Sequence, residues 1–501
     1  MSLFSSVLGQ SRARVAPVGI AFVAALISVG CGSSYRPVIT PTNPTGPAPQ
    51  PTSYTVVVSS PGPNSPGVAT VVDYSGDSIL AQAPIGPNPS AFTLDSNGSN
   101  GYTLNSDKTL TNFPVSATDP QEKDIHYSTL PAGAQVVGLF APSAGLWAAD
   151  LNGNVIDVLA ISGAAQAFKL AIPVAPTPIA VVGVGTLGQR VFSISQDVPF
   201  DVTCNKTPHS VATNGEADAL EVATFTVSNR IPVGACPVYG VISPDGRRTF
   251  VLNRGSDTVT VIDSQNNSLD NRCPPPTGCV NQNGQTYFSH PALPLSTTAV
   301  TATGITPPNG TAGFPAIAGP VYAEYIQATQ QLVVADYDGG TISLIDVSLD
   351  QYGNDSQTFG TTFTIPVGKN PASVTALADG SRAYTADQTD GTVHVVNLTS
   401  HTVKTSLGVT GHPRTVVSTS NSLYGKVYVA SPDSTFLTII RTDLDIVDTT
   451  VLIEGNIVDV RTTTQTGTRG NGNVTSRIPG GGQPCYVPGT EGSLAACQTI
   501  P

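Results

Sequence analysis

Three segments of the chain are copies of one pattern: Pro237 to Asp263 (PVYGVISPDGRRTFVLNRGSDTVTVID), Pro320 to Asp346 (PVYAEYIQATQQLVVADYDGGTISLID) and Pro371 to Asn397 (PASVTALADGSRAYTADQTDGTVHVVN). In each, an Asx residue (Asn253, Asp336, Asp387) stands 16 residues after the opening Pro, and a second Asx (Asp263, Asp346, Asn397) follows 10 residues later. Two spacings held three times commit the chain to a repeat architecture, in which each unit buries its apolar surface only against its neighbours. Weaker copies begin at Pro89, Ala134, Pro178 and Pro413.

Within a unit, apolar residues alternate over short runs, as in Val259 and Val261 or Ile342 and Leu344, and Gly, Asn, Asp and Pro separate the runs. That is the period of antiparallel strands rather than of helices. A fourth run ends several units in a recurrent form: Ile231-Pro232-Val233-Gly234, Ile365-Pro366-Val367-Gly368 and the looser Ala83-Pro84-Ile85-Gly86. Four strands in roughly 42 to 45 residues is the size of a β-propeller blade. Residues 54–86 supply the second, third and fourth strands of a unit without a first, and residues 456–463 supply a first strand with nothing after it. The expectation is an all-β propeller of four-stranded blades over residues 54–463, closed by a split blade built from both termini. Such closure leaves no open edge at the seam. The count is eight blades, or seven if the units at Pro89 and Ala134 form one irregular blade.

Ile231-Pro232-Val233-Gly234, Ser243-Pro244-Asp245-Gly246-Arg247-Arg248, the run Thr258 to Asp263, and Val427-Tyr428-Val429-Ala430 make the sequence similar to the YVTN/YncE family of bacterial β-propeller repeat proteins. The resemblance spans roughly residues 54–463 and is strongest in the second half. It implies an exported scaffold rather than a particular chemistry. Members of that family commonly have seven blades, so eight is a departure.

Residues 1–30 hold two cations, Arg12 and Arg14, ahead of an apolar run from Val15 to Val29, with no acidic residue. This reads as a secretory signal, its run too short for a comfortable membrane span. Ser28-Val29-Gly30-Cys31-Gly32 resembles the lipobox of bacterial lipoproteins, with Ser28 where Leu is usual. The resemblance implies that Cys31 is acylated and anchors the protein to the cell envelope, with the outer membrane favoured because Gly32 is not a retention signal of the Asp type. Residues 31–53 are rich in Pro, Thr and Ser, a composition that stays extended and cannot bury a core. They read as a tether, and residues 464–501 as a Gly-rich tail.

Taking Cys31 out of the seven cysteines leaves six, an even number for an oxidising compartment. In a propeller, the turns between second and third strands share a face with the blade-to-blade connections. Cys204 lies in an insertion, Asp197 to Asp218, at such a turn, and Cys236 lies in the next connection. A Cys204 to Cys236 bridge is therefore expected. Cys273 and Cys279 close the local loop CPPPTGC inside a second insertion, Ser264 to about Leu295, after the third strand of the unit at Pro237. Cys485 and Cys497 are expected to pair in the tail.

Charged residues are 11% of the chain, against roughly 25% in an ordinary soluble domain. The net charge of -12 excludes a nucleic-acid partner, which needs a basic surface. The histidines at 126, 209, 290, 394, 401 and 412 show no metal-binding spacing, and the single tryptophan, Trp147, disfavours a quinone-dependent propeller with its repeated Trp motifs. No cofactor is expected. Asp336, Asp338, Asp387 and Asp390 sit at second-to-third-strand turns and are candidates for Ca²⁺, although Asp, Asn and Gly are also what tight turns require. The functional expectation is a non-catalytic lipoprotein whose loop-bearing face binds an envelope protein or glycan. The competing expectation is a lactonase-like propeller hydrolase acting at the central channel.

Overall fold

The computed structural model describes residues 53–463, apart from 63–64, 143–144, 163–164, 185–190, 200–203, 205–207, 296–316 and 420–423. The segments read from the sequence as a signal, a tether and a tail, with Cys31, Cys485 and Cys497, lie almost entirely outside the described residues. The described residues form an eight-bladed β-propeller. Blade 1 is the split blade; blades 2 to 8 span residues 91–129, 136–173, 178–235, 237–294, 320–366, 371–408 and 415–452. The units at Pro89 and Ala134 are thus separate blades. Helix among the described residues is confined to two 3-10 turns, Glu122–Asp124 and Pro208–Ser210.

In blade 1 the C-terminal strand Asn456–Thr462 is innermost and pairs antiparallel with Tyr54–Ser60, followed outward by Pro66–Asp73 and Ile79–Pro87. The seam is in register from Thr55 opposite Thr462 to Ser60 opposite Asn456, with one bulge. Tyr54 N–H donates to Thr463 Oγ1 at 2.8 Å, joining residues 409 apart in sequence.

Strands near the axis are buried on both faces by neighbouring blades, so Pro237–Ile242 and Arg248–Asn253 are buried at every position. Outermost strands alternate between cover and solvent, as in Thr402–Gly408. Sheets that radiate from an axis diverge outward, and large side chains fill the widening gap. Tyr102, Trp147, Phe192, Phe250, Tyr384 and Tyr428 all stand three residues before the end of a second strand or its Asx position, in six different blades, and all are fully buried. Burying one such ring stabilises by about 1.5 to 3 kcal/mol.

The recurrent Ile-Pro-Val-Gly ending has a packing cause. A Cβ placed on Gly86 would lie 2.2 Å from the Asn105 side chain, on Gly234 2.7 Å from Asn253, and on Gly368 1.7 Å from Asp387. Each glycine ends an outer strand against the repeat Asx of the next blade. The Asx in turn bonds two hydroxyls of its third strand: Asn105 to Thr109 and Thr111, Asn253 to Thr258 and Thr260, and Asp336 to Thr341 and Ser343. Where Ala175 replaces the glycine, the facing Asx position is Ser195, and where Thr410 replaces it, the position is Ser431. A larger residue on one blade is matched by a smaller one on the next.

Two features of the insertions differ from the sequence expectation. The second insertion does not simply follow the third strand of blade 5; it breaks the fourth. Ser268–Leu269 pairs with Ile262 and Asp263, Ala292–Pro294 pairs with Thr258 to Thr260, and the Cys273–Cys279 loop lies between the halves. The first insertion ends at residue 213, because Asn214–Glu221 is already the third strand of blade 4 and buries Asp218. Alternation puts Asp218 opposite Ser193, at the place held by Thr260 and Ser343 in blades 5 and 6.

Candidate functional site

The second-to-third-strand turns and blade connections gather charged groups at blades 4 to 6. Cys204 and Cys236 are joined there by a disulfide. Cys236 precedes the opening Pro of blade 5 and adopts φ 49, as Asn88 and Asn370 adopt φ 40 and φ 59 before their own blades. A left-handed non-glycine residue costs of order 1 kcal/mol or more, and the bridge holds this one in place. Cys236 Sγ also lies 3.6 Å from the Pro208 carbonyl oxygen, which sets the adjoining His209 over the turns of blades 5 and 6.

His209 Nδ1 lies 3.5 Å from Asp257 Oδ2, and its Nε2 lies 3.5 Å from Asp338 Oδ2. A neutral imidazole has one N–H, so only the protonated ring can donate to both carboxylates. Arg254, with a side chain 2% exposed, makes a two-pronged bond to Asp338, Nε to Oδ2 at 2.9 Å and Nη2 to Oδ1 at 2.8 Å. The Tyr337 ring lies 5.6 Å from its guanidinium carbon. Burial alone would raise the Asp338 carboxyl, but Arg254 and His209 outweigh it and hold the group below the usual carboxylate range. Asp257 Oδ1 accepts the main-chain N–H groups of Ala318 and Gly319. The insertion, two blade turns and the entry to blade 6 are thereby tied into one charged platform.

The four calcium candidates occupy different environments. Asp338 is held by Arg254. Asp336 points into blade 6, fully buried, where burial pushes its carboxyl up to about 7 against the opposing effect of the Ser343 and Thr341 hydroxyls. Asp387 is buried beside His394, its carboxyl raised by burial and drawn back down by that histidine. Asp390 donates its main-chain N–H to Asp387 Oδ1 at 3.3 Å. Among the described residues, no group of three or more His, Cys, Asp or Glu side chains is placed to hold a metal ion.

On the innermost strands, Arg461 pairs with Asp459 at 3.1 Å. Burial opposes its charge, and Asp459 with Tyr322 and Tyr239 more than compensates, so its pKa stays above the ordinary value. Those two tyrosines belong to blades 5 and 6, across the ring from Arg461, and their ring centroids are 4.8 Å apart. Glu324 accepts bonds from the Thr375 hydroxyl and the Ala376 N–H.

A second buried network lies under the blade 5 insertion. Arg248 has Asp355 at 3.2 Å, Asp270 at 3.4 Å and Asp263 at 4.0 Å, and His290 Nδ1 meets Asp355 at 2.8 Å. It locks the Cys273–Cys279 loop to the 347–361 segment of blade 6.

Sequence reading found the two bridged cysteine pairs and the acidic turns, but not His209, Arg254 or Arg461 as parts of a site. For Arg254 a signal existed: the residue after the repeat Asx is Ser106, Leu151, Tyr337 or Gln388 in other units and a cation only here.

No protein-family model matches the chain, and no curated protein matches it. Among solved structures, the fold is similar to the dihydro-heme d1 dehydrogenase NirN in complex with DHE, at 14% identity and TM-score 0.54, covering 86% of this chain and 79% of that one. It is similar to AztD of Citrobacter koseri at 12% identity and TM-score 0.50, covering 82% and 97%. A 6-phosphogluconolactonase-like protein of Bacteroides fragilis aligns at 12% identity and TM-score 0.46, covering 83% and 99%. At these identities the likeness to the first two is one of fold alone, a β-propeller, and the activity has to be argued from this chain's own residues.

Proposed function

We propose that the protein is an exported, lipid-anchored envelope protein, attached through Cys31, whose propeller is a binding scaffold for an envelope protein or glycan. The observation that carries this reading is the platform on blades 4 to 6, where a disulfide, a shared histidine and a buried arginine tie Cys204 and His209, from an insertion that the repeat does not need, to the turns of blades 5 and 6. Recognition is commonly carried by loops on a rigid scaffold, and fixing a loop beforehand lowers the entropic cost of binding. The channel reading is less well supported: Asp459 is engaged by Arg461, and Glu324 by Thr375 and Ala376.

Proximity labelling on intact cells, with the protein unchanged or carrying Arg254→Ala and His209→Ala, tests the platform. Loss of specific neighbours in the variant supports it; an identical neighbour set overturns it. Metabolic labelling with a fatty-acid analogue tests the anchor, with incorporation expected in the protein and absent from Cys31→Ala.

A further inference from the structure

Blade 7 departs from the repeat in a chemically specific way. At the third-strand position where other blades carry Thr111, Thr260, Ser343 or Thr438, it carries His394. Directly across on the outermost strand stands Ser406, whose hydroxyl lies 2.7 Å from His394 Nδ1. On its other side, His394 Nε2 lies 3.5 Å from Asp387 Oδ2 and 3.2 Å from the Thr392 hydroxyl. Ser406 is exposed, His394 is mostly covered and Asp387 is fully buried. A hydroxyl at the surface, an imidazole behind it and a carboxylate beneath form the nucleophile, base and orienting group of acyl-transfer chemistry.

The protons fit those roles. With Nε2–H directed at Asp387, the Nδ1 lone pair faces Ser406 and accepts its O–H. Asp387 Oδ2 is buried 3.5 Å from His394 Nε2, placed to stabilise the imidazolium as it forms. Gly368 makes the arrangement possible, since a Cβ there would lie 1.7 Å from Asp387 Oδ2 and 2.7 Å from His394 Nε2. The register also matters. Val409 N–H bonds the Gly391 carbonyl, so Ser406 and His394 form a non-hydrogen-bonded pair, the kind whose side chains approach most closely. The Ser406 main-chain N–H then points to the open edge of the blade, where it can donate to a substrate oxygen.

We propose that Ser406, His394 and Asp387 form a hydrolytic site for small acyl esters on the outer rim of blade 7, independent of the binding platform on blades 4 to 6. Ser406 Oγ attacks the ester carbonyl as its proton passes to His394 Nδ1. The tetrahedral adduct expels the alcohol, which takes that proton, and leaves acyl-Ser406. Water then attacks the acyl group, giving its proton to His394, and the carboxylic acid departs as Ser406 regains its proton. Ser406 and His394 are the catalytic residues, and Asp387 is a positioning residue.

The test treats the full protein with a biotinylated fluorophosphonate and measures p-nitrophenyl acetate hydrolysis. The expected result is an adduct mapped to Ser406, absent after unfolding in urea, with turnover lost in Ser406→Ala. His394→Thr, which installs the residue of blades 2 and 5, keeps the melting midpoint and lowers turnover by about 100-fold or more. Asp387→Asn, the residue of those same blades, lowers kcat with KM unchanged. No adduct at Ser406, an adduct formed equally in the unfolded chain, or turnover unchanged in His394→Thr overturns the proposal.

Discussion

Asp336→Asn is expected to stabilise the protein above neutral pH and to make the gain depend on pH in a defined window. Asp336 is fully buried at the end of the second strand of blade 6, and its carboxyl is raised from 3.8 to about 7, first of all by burial. In the unfolded chain it titrates near its ordinary value, so between those two values the native state holds a proton that the unfolded state has lost. Stability then falls as pH rises: the contribution of the neutral form is fully present below about pH 4 and is gone above about pH 7. Each pH unit in that window costs about 1.4 kcal/mol, so the charged group is less favourable by on the order of 4 kcal/mol at pH 8. Asparagine has no such charge. Its amide can donate to Thr341 and Ser343 as Asn253 donates to Thr258 and Thr260, so the fold already accommodates it in blade 5. Urea denaturation of both proteins at pH 4.5, 6 and 8 measures the difference, and comparing the two cancels titrations they share. The gap should open with pH toward about 4 kcal/mol. A difference constant across the three pH values would refute the account of a buried carboxylate forced to ionise.

Gly234→Ala should cost about 1 to 3 kcal/mol by driving a Cβ into the Ser256 hydroxyl and Asn253; adding Asn253→Ser, the solution blade 4 uses with Ala175 and Ser195, should recover part of it in a double-mutant cycle. Arg248→Ala leaves Asp263, Asp270 and Asp355 buried without their shared cation and should cost about 3 to 5 kcal/mol, read as a lowered urea midpoint. Replacing both Cys204 and Cys236 by Ser opens a cross-link between positions 32 apart, and chain entropy puts the loss on the order of 3 to 4 kcal/mol. Calorimetry in oxidised and reduced buffer should show the same ordering for the unchanged protein.

Much of the fold was legible because a propeller is assembled from local instructions. The opening Pro, the Asx 16 residues on and the Ile-Pro-Val-Gly ending each recur, and the incomplete units at the two ends complement each other, so the seam could be read from the chain and the blades counted as eight or seven, which the separate sheets at Pro89 and Ala134 settle as eight. The Cys204 to Cys236 bridge was legible for the same reason, since topology placed both residues on one face of adjoining blades. The break in the fourth strand of blade 5 was not. Two residues on one side of a loop and three on the other are too few to show alternation, and only pairing with the third strand identifies them as one strand.

The candidate sites divide along the same line. The sequence by itself determined the propeller, its closure and the faces on which its insertions emerge, because these follow from spacings that repeat. Only the tertiary structure decided that His209 bridges Asp257 to Asp338 across two blades, and that Ser406 meets His394 above Asp387. The first of these joins residues of three blades, and the second joins three residues of one blade whose set of side chains no other unit repeats. They depend on which side chains the register and blade packing bring within a few ångströms, which the repeat spacing does not specify.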